Sequence, residues 1–253
     1  MTYLRPIVIF LCLIGAWQAL VWLTGVEHFI LPGPGRVAVA LVERWPSLLR
    51  HAGITIVEIL LGLAIGVVLG CASAIVISAL RPARRWLLPV LVVSQAIPVF
   101  ALAPILVLWL GYGLASKVAM ATLIIYFPVT AAFFDGLRRT DPGWLDLART
   151  MGGSRPAVLL HLQIPAALPA LTSGLRVATA VAPIGAIVGE WVGSSGGLGY
   201  LMLHANARLQ VDVMFAALFV LALFSVTLYF TVDWALRRAI PWQADDAKDH
   251  RAG

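Results

Sequence analysis

The chain has 253 residues, of which 61% are hydrophobic and 12% charged, with a mean hydropathy of +0.94. Soluble domains carry about 25% charged residues and about 45–50% apolar ones. Here the apolar residues also fall in long blocks, which excludes an ordinary soluble enzyme and defines an all-α, polytopic membrane protein. The 18 Lys and Arg exceed the 12 Asp and Glu, but they flank apolar blocks and form no basic stripe with interleaved aromatics. Nucleic acid is therefore excluded as a partner, and the lipid bilayer takes its place.

A membrane crossing needs about 20 mostly apolar residues, and six stretches qualify. The first is 7–24, with Gln18 its one strongly polar residue. Arg5 ahead of it fits a signal peptide, yet the stretch is long for one and no small-x-small cleavage site follows. A retained anchor is expected. Residues 25–53 form the longest connection. After Pro32-Gly33-Pro34-Gly35, the apolar positions Val37, Val39, Leu41, Val42 and Trp45 suit either an amphipathic helix on the outer surface or a plain loop.

The second span, 54–80, carries Gly62, Gly66 and Gly70, continued by Ala74 and Ser78. Small residues at every fourth position make a face that another backbone can approach closely. The third, 86–110, holds Pro89, Pro98 and Pro104 with Ser94 and Gln95. Proline removes an N–H donor and kinks a helix, and broken helices line many transport sites. A solute path beside Ser94, Gln95, Pro98, Phe100 and Pro104 competes with a purely structural kink. The fourth span is 118–134.

Between it and the fifth lies the polar run "DLARTMGGSRPAVLLHLQIPAALP". Asp141-Pro142 reads as an N-cap followed by proline at the first helical position. The helix so begun is expected to break at Gly152-Gly153. Ser154 then caps a second short helix that Pro165 ends. The result is a knob that a partner can grip, or else a locally packed connector.

The fifth span, 171–192, repeats small residues at Gly185, Gly189 and Gly193 and carries Glu190 and Trp191 ahead of "GSSGGLGY". The sixth is 213–236. Ionisable groups within spans are Glu58, Arg176, Glu190 and Asp233, and each is costly there. Glu58, Arg176 and Asp233 lie near predicted ends and are expected to reach the interface. Glu190 suits a structural hydrogen bond or a place on the path. Cys12 and Cys71 read as packing residues.

The chain divides into an anchor and outer segment (1–53), a core (54–236) with a polar loop at 140–170, and a tail (237–253). With both termini cytoplasmic, the inner segments hold Arg5, Arg81, Arg84, Arg85, Arg138, Arg139, Arg149, Arg155, Arg237, Arg238, Lys248 and Arg251. The outer ones hold only Arg36, Arg44, Arg50, Lys117 and Arg208. Enzyme chemistry finds little support. The only lysines, Lys117 and Lys248, do not follow glycine, so no phosphate-cradling P-loop exists. The five histidines are scattered and make no metal-ligand pair.

The polar run resembles the loop shared by permease subunits of bacterial ATP-binding-cassette importers. That pattern is Glu-Ala-Ala, three residues, Gly, nine residues, then Ile-x-Leu-Pro. Asp146, Leu147 and Ala148 stand at the Glu-Ala-Ala, Gly152 at the glycine, and Leu162, Ile164 and Pro165 at the Ile-x-Leu-Pro. The departures are conservative and the spacing is intact. "LPGPGRV", "PVFALAPILVLWLGYGLASKV" and "GEWVGSSGGLGYL" are similar to the nitrate, sulfonate and taurine branch. "FFDGLRRT", "DLARTMGGS" and "APIGAIVGEWVG" are most similar to permeases for thiamine pyrimidine precursors.

The resemblance implies a type I importer permease fold and a bacterial inner-membrane location. It implies a permease homodimer, two separate ATP-binding subunits carrying ATP and Mg, and a periplasmic or lipid-anchored substrate-binding protein, with no cofactor on this chain. Asp146, Leu147, Ala148, Arg149, Gly152, Leu162, Ile164 and Pro165 become the contact with the ATPase. The cargo is then a hydroxymethylpyrimidine-type solute, with sulfonate, taurine or nitrate as the alternative. An ATP-independent channel or carrier, or a scaffold without transport, are the rivals from other classes.

Overall fold

The computed structural model describes residues 4–241, apart from the side chains of residues 4–7, 10, 81, 92 and 94–96. The tail expected at 237–253 is thus followed only to Pro241, and Lys248 and Arg251 lie outside the described residues. Ser94 and Gln95 are placed by their backbone alone.

Eleven α-helices and one π turn make up the regular structure of the described residues. They are α1 (Leu4–Thr24), α2 (Pro34–Glu43), α3 (Trp45–Ala79), α4 (Arg81–Ala96), α5 (Val99–Leu110) and α6 (Leu114–Arg138). Then come α7 (Pro142–Thr150), α8 (Arg155–Val158), the π turn (Leu159–Gln163), α9 (Ile164–Gly193), α10 (Leu198–Ala207) and α11 (Val211–Ala239). Four helical stretches are long and apolar enough to cross a membrane: Trp45–Ala79, Leu114–Arg138, Arg155–Gly193 and Val211–Ala239. Of the other two expected spans, the first lies within α1, which runs over 21 residues, and the second half of the third is the short apolar helix Val99–Leu110.

The third expected span is two helices. α4 stops at Ala96 and α5 starts at Val99, because Pro98 can offer no N–H to a helical ladder running through it. The outer connection is also shorter than expected, since α3 begins at Trp45 and already runs through His51. Residues 34–43 do form a helix, but its buried Val37 and Ala40 join the core around Val213, Ala216 and Ala217 of α11. Its inner face therefore meets protein.

α6 lies at the centre, packed between α3 and α9, and the small residues explain how closely. A methyl group at Gly62 would come 2.5 Å from Ala121 Cβ, and one at Gly66 2.7 Å from Ile125. From the opposite side, one at Gly185 would come 2.6 Å from Ala121 Cα. Ala121 thus sits between two glycines of different helices. Side-chain volume is missing on both faces of α6, and dispersion between backbones takes the place that the hydrophobic effect holds in water.

α1 rests on the bundle through Trp17, stacked 5.6 Å from Phe215 of α11. α9 is tied to α11 by Arg176 Nε, which donates to Asp233 Oδ1 at 2.6 Å; Arg237 donates to the other oxygen at 2.9 Å. These two charges satisfy each other, where the sequence suggested independent escape to the interface.

Candidate coupling segment and buried polar node

The segment between α6 and α9 begins as expected. Asp141 accepts the N–H of Gly143 at 2.6 Å, and Pro142 opens α7. Ser154 Oγ accepts the N–H of Ala157 and opens α8. Between them the chain reverses at Gly152, whose φ is +80°. Gly152 N–H donates to Arg149 O and Gly153 N–H to Ala148 O, both at 2.9 Å. This 5→2 and 6→1 pair is a Schellman closure, which needs a left-handed residue at the position Gly152 fills. Gly153 is needed for a different reason: a Cβ there would stand 2.8 Å from Ala148 O.

Pro165 does not end the second helix. The ladder widens into the π turn, where Ile164 N–H donates to Leu159 O, and then continues as α9 with Pro165 in its first turn. A proline ring clashes with the carbonyl four residues earlier, and the extra residue of a π turn relieves that clash. α8, the turn and α9 make one helical stretch, Arg155–Gly193.

The segment has two characters. Leu159 and Ile164 pack into the core formed by Phe133, Leu137 and Ala167, and Gln163 Nε2 reaches Leu137 O at 3.5 Å. Trp144 (57% exposed), Leu147 and Met151 (80% exposed) project away from it. With Ala148, Val158 and Leu162 they line an apolar hollow of about 540 Å³ between the two short helices. Asp146 and Arg149 pair at 3.0 Å on the exposed face. The eight expected contact residues thus fall on α7, the Gly152 reversal, the π turn and the first turn of α9, a continuous segment packed against the core at Ile164 and exposed at Leu147.

The candidate path residues are more scattered. Pro98 caps α5, Pro104 lies within it, and Phe100 is exposed on it. α5 meets α9 where Val107 covers Gly193. Trp191 is exposed, but the adjacent Glu190 is buried. The run Gly193-Ser194-Ser195-Gly196-Gly197 spells G-x-S-x-G, yet it joins helix to helix where a nucleophile elbow joins strand to helix. Ser194 Oγ donates into its own loop, to Gly196 O at 2.6 Å.

Glu190 belongs to a polar node. Its Oε2 accepts the N–H groups of Gly199 (2.5 Å) and Tyr200 (3.2 Å), and its Oε1 accepts the hydroxyl of Thr55 (2.6 Å). Thr55 Oγ1 in turn accepts the N–H of Leu198 at 2.8 Å, and His51 Nδ1 accepts that of Gly197 at 3.0 Å. All four leading N–H groups of α10, which a helix cannot satisfy itself, are met by side chains of α3 and α9. Gly197 is essential to the fit, because a Cβ there would collide with the Glu190 carboxylate and its φ is +108°.

Lys117 caps the opposite polarity. It is 1% exposed and its Nζ donates to Tyr112 O (2.5 Å) and to Gly193 O at the C-terminus of α9. Glu58, at 2% exposure, is also buried here, against the expectation that it reaches the interface. The sequence reading missed Lys117, His51 and Thr55. A signal existed in α3, since His51, Thr55 and Glu58 recur at helical spacing, but it required knowing that the helix begins before residue 51.

The described residues thus form a helical bundle with four helices able to cross a membrane and a buried polar node joining α3, α6, α9 and α10. Residues 62–243 match the family of binding-protein-dependent transport system inner membrane components, and the chain belongs to that family. It is 55% identical to a probable ABC transporter permease protein of Haemophilus influenzae, over 94% of this chain and 97% of that one. It is 35% identical to the formylaminopyrimidine transport permease protein ThiX of Halalkalibacterium halodurans, over 95% and 96%. A riboflavin transport system permease protein of Chloroflexus aurantiacus is also 35% identical, over 94% and 90%. In fold, it is similar to the MetNI methionine ABC transporter in an inward-facing conformation, with a TM-score of 0.67 at 18% identity over 78% of this chain and 97% of that one.

Proposed function

We propose that this chain is the permease subunit of an ATP-driven importer, and that its cargo is a formylaminopyrimidine- or hydroxymethylpyrimidine-type precursor of thiamine. Two copies form the translocation unit. Two separate ATP-binding subunits, which carry ATP and Mg, sit on the cytoplasmic side, and a periplasmic or lipid-anchored binding protein delivers the solute. Both termini and α7–α8 face the cytoplasm. The burial of Lys117 supports this orientation, because it removes a charge from the outer loops and leaves the inner excess of Arg larger.

The observation that carries the reading is the capped, two-helix segment. Its exposed Leu147 and Met151 offer an apolar grip, and its other end is built into the core at Ile164. ATP binding closes the ATPases and moves this segment, and the spans turn from inward- to outward-facing. The solute then passes beside the proline-broken α4–α5 hairpin, along Ser94, Gln95, Pro98, Phe100, Pro104 and Trp191, while Glu190 sets the position of α10.

The test exchanges Gly152 for Trp in the assembled complex. Loss of solute-stimulated ATPase activity with normal membrane insertion supports docking. Unchanged uptake and coupling refute it. For the cargo, a deletion strain dependent on exogenous pyrimidine should regain growth with this importer and lose it when α7–α8 is altered. Rescue instead by riboflavin, taurine or nitrate uptake would reassign the solute.

A further inference from the structure

The polar node buries three ionisable side chains together, and their hydrogen bonds are unequal. Glu190 receives three donors, from Thr55, Gly199 and Tyr200, spread over both oxygens. An oxygen that only accepts is what an ionised carboxylate offers. Lys117 gives its two bonds to the carbonyls of Tyr112 and Gly193, so its charge reaches the carboxyls through space. Glu58 meets Glu190 carboxyl to carboxyl. Among the described residues, no N–H or O–H donates to the buried Oε2 of Glu58.

Two carboxyl groups can share a hydrogen bond only with a proton between them. An ionised Glu58, buried and with no donor to its Oε2, is strongly disfavoured. Protonating Glu190 as well would place an O–H among three donors and leave Lys117 without a counter-charge. We infer that the node is a binding site for a single proton, carried by Glu58 and donated to the Glu190 carboxylate. Lys117 and Glu190 then cancel, and the interior is neutral. The other titratable groups around it are Arg50 and His51 on α3 and Tyr200 and His204 on α10; the His51 ring stacks on Tyr200, which meets His204 edge to face. The bound proton lets one negative charge hold the N-terminus of α10, where positive partial charge gathers.

The inference does not depend on the cargo or on the ATPase, and it is tested on the full chain purified in detergent. Glu58→Gln replaces the acid by a neutral N–H donor and should leave the unfolding midpoint nearly unchanged. Glu190→Gln and Lys117→Met each leave an uncancelled charge and should lower it by roughly 10 °C. The double variant Lys117→Met/Glu190→Gln, neutral again, should recover a large part of that loss. Infrared spectroscopy of the unmodified chain at neutral pH should contain a protonated-carboxyl carbonyl band that Glu58→Gln lacks. A Glu58→Gln midpoint as low as that of Glu190→Gln would overturn the assignment. So would a spectrum in which Glu58→Gln removes no protonated-acid band, or a double variant no better than its parents.

Discussion

Gly152 and Gly66 show how one missing methyl group does two different jobs. At Gly152 the constraint is the backbone, because φ of +80° costs an L-residue roughly 1–2 kcal/mol. Gly152→Ala should therefore loosen the α7–α8 reversal by about that amount, and Gly152→Asn by less, read as faster amide exchange at Gly153. At Gly66 the constraint is the neighbour, since the space is taken by Ile125 of α6. Gly66→Leu should sharply lower the yield of folded protein in membranes. Gly53→Leu should be near silent, because no atom lies within 4 Å of a Cβ there. The glycine spacing in α3 is readable in the sequence, since it repeats with the helix. The role of Gly197 is not, because the carboxylate it makes room for lies on a different helix.

At the scale of the element, short helices depend on their caps far more than long buried ones do. α7 has nine residues, none of them buried, so packing cannot replace Asp141. Asp141→Ala and Ser154→Ala should each cost about 1 kcal/mol locally. Hydrogen exchange should rise across 142–158, with the global unfolding midpoint unmoved. Both caps were legible because capping is a rule of adjacent residues. The fate of Pro165 was not, because the same proline that stops one helix suits the first turn of the next. The choice was made by Leu159 and Ile164, whose half-buried side chains pack against the core and keep the chain helical through the π turn. The split of the third span was half legible: three prolines announced a weakness, and only packing decided that Pro98 marks the break.

For the whole molecule, the proposed orientation places Met151 and Ser195 on opposite sides of the bilayer. In a chain whose native Cys12 and Cys71 are replaced by Ser, Met151→Cys should resist a membrane-impermeant maleimide in intact cells, and Ser195→Cys should react. Both sites are exposed, so labelling of both from one side would reverse or cancel the topology. The helical bundle could be read from apolar blocks, as each block satisfies its own backbone inside lipid, but six blocks were expected to cross and four helical stretches are long and apolar enough to do so. The buried node could not be read this way. Lys117 stands at the edge of an apolar block and looks like a loop charge, and only the arrival of the α9 terminus explains it.

The unbroken stretch Arg155–Gly193 has 39 residues, or about 58 Å at 1.5 Å per residue. One end adjoins the Schellman reversal; the other ends in the carbonyl gripped by Lys117, one turn beyond the carboxylate that seats α10. In the proposed cycle the stretch would act as a lever: swung rigidly about its cytoplasmic end by about 3°, it would carry the far seat about 3 Å, and bending at the π turn, Pro169 or Pro183 would shorten that travel.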